Sequence, residues 1–396
     1  MKLNLSYGDI EENNKKSRFK IILVICIILL IVGMAITTVY FYNDSITFKS
    51  FIDSHIFRKE ISSENLKSIL ISDVNNQHIT SYNKYIVIIE KGKIEGYTKL
   101  GKKEFETNIN INNPITESKS GFLVVAEKHG QKICCIKNNN VIWEKELEGE
   151  ILSLHSNANG YVAVILKSTS HRSIIVVFDS NGKELFKTGL ATTYAVDVDI
   201  SNDNKYLAIA EFNPNGSMIQ SNIKIISIEQ AKDNPQESFT YIYNDTEESL
   251  IMNIKFQDKN RLICMYDDKI DVIYDNKCEK ILDISSEDSL FVDIKLKNII
   301  LVAKRVYVGP FEVETEINLI NTTNNKEKVY KINGIPKKIY TYDKKIAVDM
   351  GTEIQFINSS GWLIKKYNGT KEPIDIIIGN GIGGIVFRDK IEFLNL

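Results

Sequence analysis

A short apolar strand recurs along this chain at intervals close to forty residues, and that recurrence limits the folds open to it. Aligned copies read Tyr85-Ile-Val-Ile-Ile, Phe122-Leu-Val-Val-Ala, Tyr161-Val-Ala-Val-Ile, Tyr206-Leu-Ala-Ile-Ala, Arg261-Leu-Ile-Cys-Met, Ile299-Ile-Leu-Val-Ala, Lys345-Ile-Ala-Val-Asp and Gly384-Ile-Val-Phe-Arg. Their starts are separated by 37, 39, 45, 55, 38, 46 and 39 residues. Most of these spacings match a four-stranded propeller blade, about 40–50 residues. The two or three long intervals are expected to hold loop insertions and not extra strands. The clearest copy is Tyr194-Ala-Val-Asp-Val-Asp-Ile-Ser-Asn-Asp-Asn-Lys-Tyr-Leu-Ala-Ile-Ala. It reads as an alternating strand, a polar turn and a second, fully apolar strand.

Within a unit the order is regular. The third has strands expected over Ile151–His155, Tyr161–Leu166, Ser173–Phe178 and Lys183–Lys187, the last pair joined through Asn181-Gly182. Asn-Gly is a strong hairpin signal because both central positions of the favoured turn need positive φ. Echoes stand at Ile136-Lys-Asn-Asn-Asn-Val-Ile-Trp and Phe356-Ile-Asn-Ser-Ser-Gly-Trp. This turn pattern resembles the blades of quinoprotein-type propellers, and Ile200-Ser-Asn-Asp-Asn-Lys-Tyr-Leu-Ala resembles the WD-repeat and TolB-like class. The resemblance spans residues 65–396 and implies architecture alone, since propellers carry many unrelated functions.

The ends fit together. The last unit has three strands, near Pro373–Ile378, Gly384–Arg388 and Ile391–Leu394, while an orphan strand, Leu66–Ser72, precedes the first full unit at His78–Tyr82. One N-terminal strand completing the last blade closes the ring and removes its open edges. The expected fold is all-β: an eight-bladed propeller closed by an N-terminal strand. The number falls to seven if the fifth or the eighth unit is misassigned.

Ahead of the repeats, Ile21–Tyr42 is a 22-residue run without a charge, matching the roughly 20 residues of a transmembrane helix. Lys15, Lys16, Arg18 and Lys20 precede it, whereas Asn43 and Asp44 follow and the next Lys is Lys49. The positive-inside tendency puts residues 1–20 in the cytoplasm and the propeller outside, with Tyr40, Phe41 and Tyr42 at the outer interface. A cleaved signal peptide is the rival, but its apolar core is shorter, about 7–15 residues, and ends in an Ala-x-Ala-like site that this run lacks. Residues 43–64 are expected to form a stalk, with Ile46, Phe48, Phe51, Ile52 and Ile56 spaced loosely like one face of a short helix. The layout resembles uncharacterised membrane-anchored propeller proteins of clostridia, a resemblance that brings no activity.

Charge is nearly balanced, 49 basic against 51 acidic residues, which gives no field for nucleic acid. The five cysteines form neither a disulfide framework nor a zinc pattern. Cys134 and Cys135 point to opposite faces of one strand, and Cys264 and Cys278 lie on strands two apart, about 9–10 Å, too far to bridge. Histidines 55, 78, 129, 155 and 171 are scattered, as surface or turn residues are. Gly379-Asn-Gly-Ile-Gly-Gly has dinucleotide-fingerprint spacing but no room for the helix the fingerprint needs. Asp197-Val-Asp-Ile-Ser-Asn-Asp-Asn lacks the glycine and the bidentate Glu of a calcium loop, having Asn202 and Ala208 there; Asp203 and Asn204 are expected to build a turn. No cofactor or metal site is expected.

Antiparallel strands send every connection between second and third strands to one face of the ring, together with the blade-to-blade connections. Three of these are enlarged, Lys167–Arg172, Phe212–Asn222 and Arg305–Val313. Enlarged loops on one face of a rigid scaffold are where binding residues gather. The candidate binding residues are therefore Arg172, Phe212, Arg305, Tyr307 and Phe311. The expected function is a non-enzymatic scaffold that binds a protein partner at the cell envelope, with the bilayer contacted through residues 21–42. The competing readings are a propeller enzyme, quinoprotein-like dehydrogenase or hydrolase, built on Asp197, Asp199, Asp293 and Asp375 in the channel, or an envelope-glycan receptor using exposed Tyr and Trp. Trp143 and Trp362 are expected to pack between blades instead.

Overall fold

The computed structural model describes residues 7–44, 60–62, 66–72, 74–90, 92–215, 220–245, 248–310 and 312–396. It divides into two units, one holding the N-terminal helix and one spanning Glu60–Leu396. The helix runs from Tyr7 to Asp44. Its segment Leu23–Tyr42 has a mean hydropathy of 2.8 with no part covered by protein, so it is long and apolar enough to cross a membrane. The stalk residues Ile46, Phe48, Phe51, Ile52 and Ile56 lie outside the described residues.

Eight sheets, each with a core of antiparallel strands, make up the described residues of the second unit. Blades 1 to 7 take four consecutive strands each, opening at His78, Pro114, Glu150, Tyr194, Ile251, Ser289 and Lys338. Blade 8 has Asp375–Ile378, Gly383–Val386 and Lys390–Leu394, and its outermost strand is Lys67–Leu70. That strand pairs antiparallel with the last one, Lys67 opposite Phe393 and Leu70 opposite Lys390. The fifth and eighth units are both true blades, and the count is eight.

The apolar second strands follow from this geometry. A blade is covered by a neighbour on each face, so alternate residues along one strand enter two different cores. Phe122, Val124 and Ala126 pack toward blade 3, while Leu123 and Val125 pack toward blade 1. The adjacent thiols divide in the same way, Cys135 with the first set and Cys134 with the second. Every neighbouring pair of blades has its own apolar cluster, including the closing pair, where Ile71, Val386, Ile391 and Phe393 of blade 8 meet Ile86 and Ile88 of blade 1. Polar bonds reinforce the join: Ser81 Oγ donates to the Ile378 carbonyl at 2.9 Å.

Three features depart from the sequence reading. Glu60–Ser62, within the segment expected to be stalk, is a short strand laid parallel on the outer edge of blade 7, Glu60 opposite Lys366. The long interval after the fourth copy is an insertion, as expected, but it includes a helical turn, Ile228–Ala231, capped by Ser227 accepting from the Gln230 amide. The enlarged connections of blades 4 and 6 are mostly longer strands: Tyr206–Asn213 with Gln220–Ser227, and Ile299–Tyr307 with Val313–Asn321.

The turns use the chemistry expected of them. Asn181-Gly182 turns with Gly182 at φ 79° while Asp179 Oδ1 accepts from the Asn181 and Lys183 amides. In the Ser201–Lys205 turn Asn204 sits at φ 61°, and the Lys205 amide bonds both Ser201 Oγ and Asp203 Oδ1. The glycine run at 379–384 is a strand-to-strand turn, closed by the Gly379 amide on the Ile382 carbonyl.

Candidate functional site

Arg172 leaves the 2–3 connection of blade 3 and reaches blade 4. Its Nη1 donates to the Tyr194 hydroxyl at 2.8 Å, and the guanidinium lies over the Tyr194 ring, 5.3 Å from its centre. Tyr194 in turn stacks on Phe212, centroids 5.5 Å apart and planes at 22°. Phe212 is not a loop residue but a strand residue, opposite Tyr194 on one side and Ser221 on the other. The structure thus joins two of the candidates through a third, Tyr194, which the loop-based reading passed over because it sits on a first strand. Next to Phe212 on the strand, Glu211 is buried and paired with Lys224 at 2.8 Å and with Thr193.

Arg305 and Tyr307 lie on the paired part of the blade 6 hairpin, opposite Thr315 and Val313. Arg305 Nε donates to Asp288 at 3.2 Å, and its guanidinium lies 5.5 Å from the Tyr307 ring centre. Tyr307 is 64% exposed and Val308 49%. Phe311 lies outside the described residues. Blade 5 separates this pair from the Arg172–Tyr194–Phe212 stack, so the candidates form two groups on the same face.

The channel carboxylates have other partners. Asp197 Oδ1 is 2.8 Å from His155 Nε2 of blade 3, and its Oδ2 accepts the Ile254 amide of blade 5 at 2.9 Å. Asp199 takes Lys255 Nζ at 2.6 Å and the Phe256 amide at 2.7 Å. Two acids of one strand therefore bind the main chain of the next blade, and both are buried. Burial works to raise the Asp197 carboxyl; His155 and the Ile254 amide outweigh it and hold the group below its ordinary range. Burial likewise works against charge on His155, and Asp197 outweighs it, so the imidazole titrates above its usual value.

Around the rest of the channel the contacts are sparser. His78 Nε2 is 2.8 Å from Thr116 Oγ1 and is pushed down by burial. Asp293 accepts the Lys295 amide at 2.7 Å and is pushed up by burial. Asp375 faces Lys338 at 3.5 Å. The placement of His78 and His155 on channel strands corrects their reading as surface or turn residues; a β-strand histidine opposite an Asp on the next repeat leaves no local motif. Among the described residues no three His, Cys, Asp or Glu side chains converge as metal ligands do. Trp143 is buried between blades 2 and 3 against Phe178, centroids 6.0 Å apart.

On the opposite face the 1–2 turns of successive blades are tied together. Asn157 Nδ2 donates to Ser201 O and Asn204 Oδ1, Asn260 Nδ2 to Asp203, and Gln257 Nε2 to the Ile294 and Leu296 carbonyls. These residues build their own turns and also lock the neighbouring blade.

Solved structures with similar architecture are diverse. They include the dihydro-heme d1 dehydrogenase NirN (10% identity, TM-score 0.48, 85% of this chain and 81% of that one). Hydrazine synthase of Kuenenia stuttgartiensis is another (10%, 0.43, 83% and 97%), as is the WD40 domain of Neurospora crassa Pan2 (9%, 0.43, 83% and 94%). At such identities they speak to no activity. A search of curated proteins gives no match. Residues 57–396, the whole ring with the few residues before it, match one family model, and the chain belongs to the family of unknown function DUF5711.

Proposed function

We propose that this chain is a single-pass membrane protein that holds its propeller outside the cytoplasm and binds a protein partner there without catalysis. Residues 21–42 are the span, residues 1–20 with Lys15, Lys16, Arg18 and Lys20 the cytoplasmic side, and residues 43–59 the linker. The observation that carries the binding reading is the lengthened hairpin of blade 6, whose Tyr307 and Val308 stand exposed on the face of the blade connections. Aromatic and Arg side chains on a rigid support are the usual anchors of a protein interface. The Arg172–Tyr194–Phe212 stack adds a second such group on that face. In favour of a structural role for the channel acids, Asp197 and Asp199 already hold blade 5 by its backbone.

The test is proximity labelling in cells from an enzyme fused after Leu396, comparing the native sequence with Arg305→Ala/Tyr307→Ala. The reading expects reproducible envelope neighbours, with at least one lost from the double variant. Recovery of cytoplasmic neighbours alone overturns the orientation, and an unchanged neighbour set overturns the binding face.

A further inference from the structure

Among the described residues, blade 4 has the longest connection between a third and a fourth strand, residues 228–238, where blade 5 has two residues. Its helical turn walls a cleft of about 310 Å³ on the face of the 1–2 turns, lined by Tyr161 of blade 3 with Asn204, Lys205, Tyr206, Glu229 and Lys232 of blade 4. That volume is at the small end of ligand sites, about 300–1,000 Å³. Both tyrosines are half-buried, Tyr161 against the core between blades 3 and 4 and Tyr206 against that between blades 4 and 5. Among the described residues neither hydroxyl has a hydrogen-bond partner. Asn204 Oδ1 accepts from Asn157 and Asn159, which leaves its amide NH2 as a donor. Lys232 is paired with Glu229. Lys205 is not so engaged: Asp203 is used by Asn260, Ser201 and the Lys205 backbone amide, and the Lys205 Nζ stands 3.6 Å from it, beyond a hydrogen bond.

We propose that this cleft binds a sugar carrying one carboxylate, free or at the end of a polysaccharide. The ligand's carboxylate takes the Lys205 ammonium, whose three donors suit an anion. Two tyrosines offer apolar ring surface to the C–H side of a pyranose and a hydroxyl each to its polar rim. The Asn204 amide donates to ring hydroxyls, and the Glu229–Lys232 pair accepts from them and donates to them at the outer lip. One ammonium among several neutral hydrogen-bonding groups favours a polyhydroxylated acid over a bare anion. The site lies on the face opposite the lengthened hairpins and is independent of the protein-partner reading.

Titration calorimetry on the full chain in detergent micelles at neutral pH tests this with glucuronate, glucose and benzoate. Glucuronate is expected to bind roughly tenfold more tightly than either, since each comparison removes one class of contact. Lys205→Gln should erase the preference over glucose, while Lys326→Gln, an exposed lysine of blade 6, leaves it intact. Tyr161→Phe and Tyr206→Phe keep the rings and should each weaken glucuronate about threefold to tenfold. No saturable binding of glucuronate overturns the proposal, as does equal binding of glucose or of benzoate. An unchanged preference in Lys205→Gln, or its loss in Lys326→Gln, overturns it too. Methyl glucuronide, with its anomeric carbon blocked as at a polysaccharide end, separates the two sources. Equal affinity assigns a polymer terminus, a preference for the free acid assigns a monosaccharide, and either supports the cleft as the site.

Discussion

Asp199 shows how a charge on a first strand becomes structural. Its carboxylate is buried, yet both oxygens are used, one by Lys255 and one by the Phe256 amide. Removing one partner of a buried pair leaves the other uncompensated. Asp199→Ala is expected to destabilise the ring by about 3 kcal/mol in urea unfolding, the low end of the usual range, because Lys255 retains some water contact. His155 and Asp197 give a pH signature. The folded imidazole titrates above its ordinary 6.5, so the pair's contribution is complete below about pH 6.5 and fades as pH rises through the folded value. The Asp197 contribution, with its carboxyl lowered from 3.8, fades only as pH falls below that. His78 acts oppositely, its lowered value favouring the fold at higher pH. Comparison with His155→Gln isolates the pair: the gap between native and variant urea midpoints should be larger at pH 5.5 than at pH 8.5, and an equal gap contradicts the assignment. None of these pairings was legible in the chain, because Asp197 and His155 stand 42 positions apart and Asp199 and Lys255 56 apart. On the sequence they look like the polar half of ordinary alternating strands.

Turns and strands were far more legible, since their signals are local. Asn181-Gly182 announced a hairpin, and the structure adds that an ideal Cβ on Gly182 falls 2.6 Å from the Trp143 ring of the preceding blade. The glycine serves the turn and the blade contact together. Gly182→Ala is expected to cost about 2–3 kcal/mol, positive φ and overpacking combined. Gly381→Ala, at φ 70° with open space around it, should cost only about 1 kcal/mol. Equal losses in thermal or urea unfolding contradict the Trp143 contact. The hairpins of blades 4 and 6 read as loops in the sequence because polar residues interrupt their apolar runs. Val313-Glu-Thr-Glu-Ile alternates throughout, and that signal was enough to place Arg305 and Tyr307 on paired strand. Glu60–Ser62 is three residues long, too short for periodicity to register.

For the whole molecule, ring closure follows from a deficit of one strand at the C-terminus matched by a surplus of one near the N-terminus. That arithmetic was readable because each blade repeats the same four-strand order, and the closing pair buries its own cluster as the others do. The face carrying the lengthened hairpins was also readable, from strand alternation alone. What binds there is set by partner chemistry that repeat spacing does not encode. Closure is tested most directly by a cross-link between the two ends of the ring. Leu70 and Lys390 are directly opposite in the closing pair, and Leu70 is 84% exposed. In the full chain carrying Leu70→Cys and Lys390→Cys, mild oxidation should join these two positions nearly completely, as read by mass spectrometry of the linked peptides. A folded protein in which the two thiols stay free under the same oxidation would mean that Lys67–Leu70 does not complete blade 8, and the closed ring would be wrong.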